Sequence, residues 1–167
     1  ISNLRVLNSE GRCAGIYVRR SDNIIIENNY TQDTHSSGIG VWFSNNATVA
    51  NNTVVNARNV PVAQGGHEEG ISIAGVDTFE VKNNEVYYTD PTASHFGGLG
   101  IDMKNGSQNG KVFKNYVHDI PNAGGIYVDS YGNTRNIEVF QNIVKDTRSG
   151  ILIGSENGEV VENIDIF

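Results

Sequence analysis

The sequence predicts an all-β solenoid, a chain wound into stacked parallel coils that each carry three short strands. Three observations predict it. The stretch Asn136-Ile137-Glu138-Val139-Phe140-Gln141-Asn142 recurs in degenerate form six more times along the 167 residues. A second motif, Gly-Ile-x-Val in degenerate form, lies between the copies and begins at Gly15, Gly38, Gly70, Gly100, Gly125 and Gly150. Within both motifs apolar residues alternate with polar ones, and no stretch holds the helical period.

The first motif moves its central apolar residue from Val6 to Ile26, Val49, Val81, Val112, Val139 and Ile166, in steps of 20, 23, 32, 31, 27 and 27 residues. A repeat of that length is one supersecondary unit that buries its apolar face only by stacking on its neighbours. The Gly-Ile strand supplies two inward ladders, Ile16, Ile39, Ile71, Ile101, Ile126, Ile151 and Val18, Val41, Ile73, Met103, Val128, Ile153. The Asn-Ile strand supplies the next face. A third strand follows it, as in Thr53-Val54-Val55, Glu85-Val86-Tyr87, Tyr116-Val117-His118 and Ile143-Val144-Lys145. The turn between the second and third strands carries Ser9, Asn29, Asn52, Asn84, Asn115 and Asn142, whose stacked amides are expected to hydrogen-bond to each other and to turn backbone. Six glycines in register before the first strand imply a positive φ or a close backbone approach there. Met103 and Cys13 are expected to pack, and His118 reads as a turn-capping residue.

These repeats resemble the right-handed parallel β-helix superfamily, of which pectate lyases are the best-known members. The three strands per coil, the aliphatic stacks and the asparagine ladder carry the resemblance, and it covers essentially every residue. It implies a single-stranded parallel β-helix of about six coils. It also implies a set of functions: polysaccharide lyases, glycoside hydrolases, esterases, epimerases, phage tailspikes and adhesins, among which fold alone does not choose. Residues 1–167 read as one segment of a longer β-helix, because both ends fall mid-coil with no capping element, and uncapped coils favour end-to-end self-association.

Composition narrows the partners. A formal net charge of −7 argues against nucleic acid and gives no general attraction to acidic polymers, so an acidic substrate needs a local basic site. A lone Cys13 leaves no intrachain disulfide. No apolar run is long enough to span a membrane, and there is no signal peptide in this segment. A secreted or envelope location follows from the resemblance alone.

Loop lengths point to a site. The intervals from turn residue to the next glycine are 6, 9, 18, 16, 10 and 8 residues, so only two neighbouring coils expand, at 58–69 and 88–99. Solenoid insertions map to one face, often the binding face. On the outward side of the Gly-Ile strands, charged groups gather directly after those insertions. Asp102 and Lys104 share a face about 6.6 Å apart, and Lys104 and Asp129 stack one rung apart at about 4.8 Å, which puts Asp102 about 8 Å from Asp129. Glu69 and His67 reach in from the first loop and His95 from the second. Ser72 lies one rung below Asp102. Trp42, Tyr127 and Tyr131 offer rings for sugar stacking.

Three readings follow. In a lyase, Lys104 is the base at C5 of a uronate, and Asp102, Asp129 and Glu69 hold Ca²⁺. In a glycosidase, the carboxylate pair near 8 Å falls in the inverting range. In a non-catalytic β-helix of an adhesin, a tailspike-like stalk or a structural scaffold, the three charges pair as a ladder on a solvated sheet.

Overall fold

The computed structural model describes residues 1–11, 13–58, 69–89, 98–154 and 158–167. Every regular element in them is a strand. Three parallel faces run along the solenoid. The first holds β2 (Ile16–Arg19), β5 (Ile39–Trp42), β8 (Ile71–Ala74) and β11 (Ile101–Lys104). The second holds β3 (Asp22–Glu27), β6 (Asn45–Ala50), β9 (Asp77–Lys82), β12 (Gln108–Phe113), β14 (Arg135–Phe140) and β16 (Glu162–Ile166). The third holds β1 (Arg5–Leu7), β4 (Tyr30–Thr34), β7 (Thr53–Ala57) and β10 (Glu85–Tyr87). In the two coils that follow β11, the third face runs unbroken into the first, as β13 (Tyr116–Val128) and β15 (Ile143–Ile153), with a register shift between Ile120 and Gly124. All pairings between named strands are parallel, and the second face is a sheet in the order β16-β14-β12-β9-β6-β3.

The expected ladders are the core. Ile16 pairs with Ile39, Ile39 with Ile71, Ile71 with Ile101, Ile101 with Ile126 and Ile126 with Ile151. Ile39, Ile71, Ile101, Ile126, Val41, Ile73, Met103 and Val128 are fully buried. Ile151 and Ile153 are exposed, because no further described strand stacks on β15. Cys13 is exposed as well; it stands in the turn ahead of β2 rather than on an inward rung.

Sharp corners join the faces. The residue before each ladder asparagine adopts a left-handed conformation, at Asn28 (φ 56), Asn51 (φ 55), Asn83 (φ 54), Lys114 (φ 56) and Gln141 (φ 54). Asparagine tolerates that region better than most residues, which explains the Asn-Asn pairs. The side chain that follows is tied upward. Asn84 Oδ1 accepts from Asn52 N at 2.9 Å and Asn52 Nδ2 at 3.0 Å, while Asn84 Nδ2 donates to Val49 O and to Asn115 Oδ1. The ladder runs through Asn29, Asn52, Asn84, Asn115 and Asn142. Ser9 does not belong to it. Arg5 pairs with Tyr30, so the first copy of the motif forms the third face instead of the second, and Leu4 N donates to Asn29 Oδ1. The short first step of 20 residues was the sign of that phase change.

A second amide ladder runs outside, on the left-handed residues inside the second face. Asn46 Nδ2 donates to Asn23 Oδ1, Asn136 Nδ2 to Asn109 Oδ1, and Asn163 Nδ2 to Asn136 Oδ1. Of the two explanations for the repeated glycines, close approach holds. A Cβ at Gly100 would overlap the Gly125 carbonyl oxygen and Val117, and neither Gly100 nor its equivalents has positive φ.

The two amide ladders differ in burial, so they differ in cost when cut. Asn84→Ala should destabilise by about 2–4 kcal/mol in urea unfolding, because it strands buried N–H groups. Asn136→Ala, in the exposed ladder, should cost under about 1 kcal/mol. Equal losses would refute the assignment of the inner ladder as the structural one.

Candidate functional site

Parallel pairing sets the site. Asp102 pairs with Ser72 below and Tyr127 above, and Lys104 pairs with Ala74. Asp129 N donates to Met103 O, which seats Asp129 beside Lys104 on the next rung, as the repeat spacing predicts. The environment differs from a solvated sheet. Asp102 is 1 % exposed, Glu69 1 % and Asp129 7 %.

Lys104 Nζ lies 2.5 Å from Glu69 Oε1 and 3.3 Å from Asp102 Oδ2. One ammonium therefore serves two buried carboxylates. Burial pushes the Asp102 carboxyl well above the ordinary carboxylate range, Glu69 and Asp129 push it further, and Lys104 offsets only part of that. Burial pulls the Lys104 ammonium down, but Glu69 and then Asp102 outweigh it and the net direction is up. Burial and the neighbouring carboxylates thus favour the protonated form of Asp102, beside a Lys104–Glu69 ion pair. Asp102 Oδ1 and Glu69 Oε2 are buried and have no hydrogen-bond partner among the described residues.

Sequence reasoning missed Arg58 and Tyr88. Both are buried at the inner boundaries of the two expanded segments. Arg58 is held by its backbone N–H to Ser36 O, has φ 57, and its Nε has no partner among the described residues. Tyr88 donates to Gly98 O; burial drives its hydroxyl upward, while Arg58 pulls it down and Glu69 pushes it up. Tyr88 thus lies within electrostatic reach of both Arg58 and Glu69. Their signal was position alone, since each opens an insertion.

The aromatic residues take distinct places. Trp42 Nε1 donates to buried Ser72 Oγ at 3.2 Å, and Tyr17 meets Trp42 edge-on at 5.1 Å. Ser72 therefore positions Trp42. Tyr127 leans over Gly154, where a Cβ would overlap its hydroxyl. Tyr131 is half exposed, and its backbone N–H donates to Asp129 Oδ1 at 3.1 Å. His67 and His95 lie outside the described residues. His118 does not cap a turn. It stacks on Tyr87 and Tyr116 on the third face, with Asp119 at Nδ1 and Glu85 at Nε2.

Glu69, Asp102 and Asp129 do not fit Ca²⁺. The Lys104 ammonium stands between two of them, where the metal would need an open set of oxygens. No group of three metal-binding side chains occurs among the described residues.

With this geometry in place, a family model described as "Right handed beta helix region" matches residues 1–166. The chain belongs to that family. No curated protein and no solved structure matches it. No helix among the described residues of this β-helix is long and apolar enough to cross a membrane.

The raised Asp102 carboxyl makes stability depend on pH. Because its folded-state value lies above the unfolded one, the contribution is fully present below the ordinary carboxylate value of about 3.9 and is lost as pH rises through the raised value. Asp102→Asn mimics the protonated acid. Thermal melts between pH 4 and 8 should show a flatter profile for the variant, with a melting temperature at pH 7–8 no lower than that of the parent chain. A steeper profile would mean that Asp102 is ionised in the fold.

Proposed function

We propose that this β-helix is a carbohydrate-active protein acting on a polysaccharide laid over the outward side of β8, β11 and β13. One observation carries the reading: a buried carboxyl whose protonated form is favoured, Asp102, one rung from a second carboxyl, Asp129, with Trp42 and Tyr127 nearby. A protonated acid beside an ionisable partner is the arrangement that glycoside hydrolysis needs, with Asp102 protonating the leaving oxygen and Asp129 acting on water. Glu69 is a positioning residue whose charge favours the proton on Asp102, and Lys104, which opposes that proton, holds Glu69 in place. Elimination with Lys104 as base has less support, because two carboxylates favour its charged form. The matching location is outside the cell or in its envelope, where polysaccharide is found.

The second reading is a non-catalytic β-helix of the adhesin, tailspike or scaffold kind. The near-complete burial of Ser72 and Asp102 favours it, since a buried charge cluster also braces a fold.

A polysaccharide panel read by reducing ends and by absorbance of unsaturated uronate decides between them. Asp102→Asn and Asp129→Asn should each lower turnover at least about 100-fold while the β-rich circular dichroism is kept. Turnover that survives both substitutions moves the site elsewhere. Absence of turnover on every glycan leaves the non-catalytic reading.

A further inference from the structure

Lys104 and Glu69 meet as no other lysine and carboxylate do among the described residues. Lys104 Nζ lies 2.5 Å from Glu69 Oε1, and the Glu69 side chain is 1 % exposed. Lys82 approaches Glu80 equally closely, but those side chains are 30 % and 41 % exposed, and the Lys111–Glu138 and Lys145–Asp146 pairs are more open still. Water screens such pairs and keeps their ions hydrated. At Lys104 a second buried carboxyl stands by: Asp102 Oδ2 is 3.3 Å from the same nitrogen. Asp102 Oδ1 and Glu69 Oε2 have no hydrogen-bond partner among the described residues. An ion pair so placed keeps charge and polar atoms out of water without full compensation.

The backbone fixes the contact. Glu69 N donates to Ser37 Oγ at 3.4 Å in the coil below, and the next residue, Gly70, donates its N–H to Leu99 O in the coil above. Lys104 ends β11, whose register is set by Ile101 over Ile71 and Met103 over Ile73. Amine and carboxyl are therefore held together, and groups held so react at effective concentrations far above any in free solution.

We propose that the side chains of Glu69 and Lys104 condense into an isopeptide bond that staples two neighbouring coils, with Asp102 carrying the protons. The Lys104 ammonium first passes a proton to the Glu69 carboxylate, which removes both charges. The neutral amine attacks Glu69 Cδ. Asp102 takes a proton from the attacking nitrogen on Oδ2 and gives one from Oδ1 to the leaving oxygen. The Nζ–Cδ bond forms, a Cδ–O bond breaks, and one water leaves. Nothing is oxidised or reduced, and no co-reactant is needed. In free solution hydration of the two ions opposes this condensation; in the fold most of that hydration is already lost. The carboxylates keep Lys104 charged at the start, so the bond forms slowly after folding. It need form only once per chain, whereas a lysine base must lose its proton in every turnover. The bond requires neither reading of the function. Once it has formed, Asp102 keeps its burial, the largest cause of its raised value.

Intact mass spectrometry of the whole chain, followed by denaturation and a tryptic map, tests this. The chain should lose the mass of one water as it ages near neutral pH. Cleavage after Lys104 should fail, and peptide 59–82 should be found joined to peptide 83–111 through Glu69 and Lys104. Lys104→Arg and Glu69→Ala should keep full mass, and Asp102→Asn should slow the loss by at least about 100-fold. The proposal is overturned if the parent chain keeps its full mass, if Lys104 is joined to Asp102 instead, or if Glu80 and Lys82 join to the same extent. It is also overturned if Lys104→Arg loses water as readily as the parent. The parent chain alone can give the first three results, so a variant that fails to fold does not shelter the proposal. Turnover on glycans plays no part in these measurements, so failure of the hydrolytic reading and failure of the staple are seen separately.

Discussion

Parallel stacking at one rung spacing is the constraint on which this structure depends. Once Ile101 lies over Ile71 and under Ile126, every other residue of those strands has its neighbours assigned. The corners must then return the chain to the same height each turn. Single left-handed residues do this, and the asparagine after each second-face corner joins consecutive coils by bonds to backbone and amide together. Ladder and corner support each other: the amide satisfies N–H groups that the abrupt turn would otherwise leave unpaired.

The same constraint produces the site. Stacking brings Asp102, Lys104 and Asp129 together with no special loop conformation, and Glu69, directly before Gly70, adds a further carboxylate. Coulomb repulsion among these carboxylates in a poorly solvated place cannot be relieved by one ammonium. The upward direction of the Asp102 shift, toward the protonated form, follows from that repulsion. The perturbed acid is therefore a consequence of the backbone repeat and the burial acting jointly, which a surface pair at the same spacing would lack.

The fold was legible because the repeat forces like residues onto like positions. The Ile and Val ladders and the asparagine turn could be numbered from the sequence. The first repeat could not, since Asn3-Leu4-Arg5-Val6 has the residue types of the second face but pairs as the third. Motif type does not report phase when two corners both favour asparagine. The site was legible in plan and not in depth. Rung spacing placed Asp102, Lys104 and Asp129 but not the burial of Asp102 and Asp129, and the buried Arg58, Glu69 and Tyr88 come from expanded segments without a period to read. Hence a solvated ion-pair ladder and a calcium site both remained open on spacing alone, although the ammonium between the carboxylates does not suit the metal.

Departures from local preference carry the remaining information. A sequence that specifies a fold agrees with itself at each level, and violations without a structural gain mark places selected for something else. Asn28, Asn51 and Asn83 obey their corner. Phe43 does not, and neither does Arg20 in the coil before it, although Gly75 and Asn105 in the next two coils show what the same corner accepts without strain. The ring gains contact with Gly75, yet it leaves nearly half its surface in water beside unneutralised guanidinium groups. Packing alone would favour a smaller residue there.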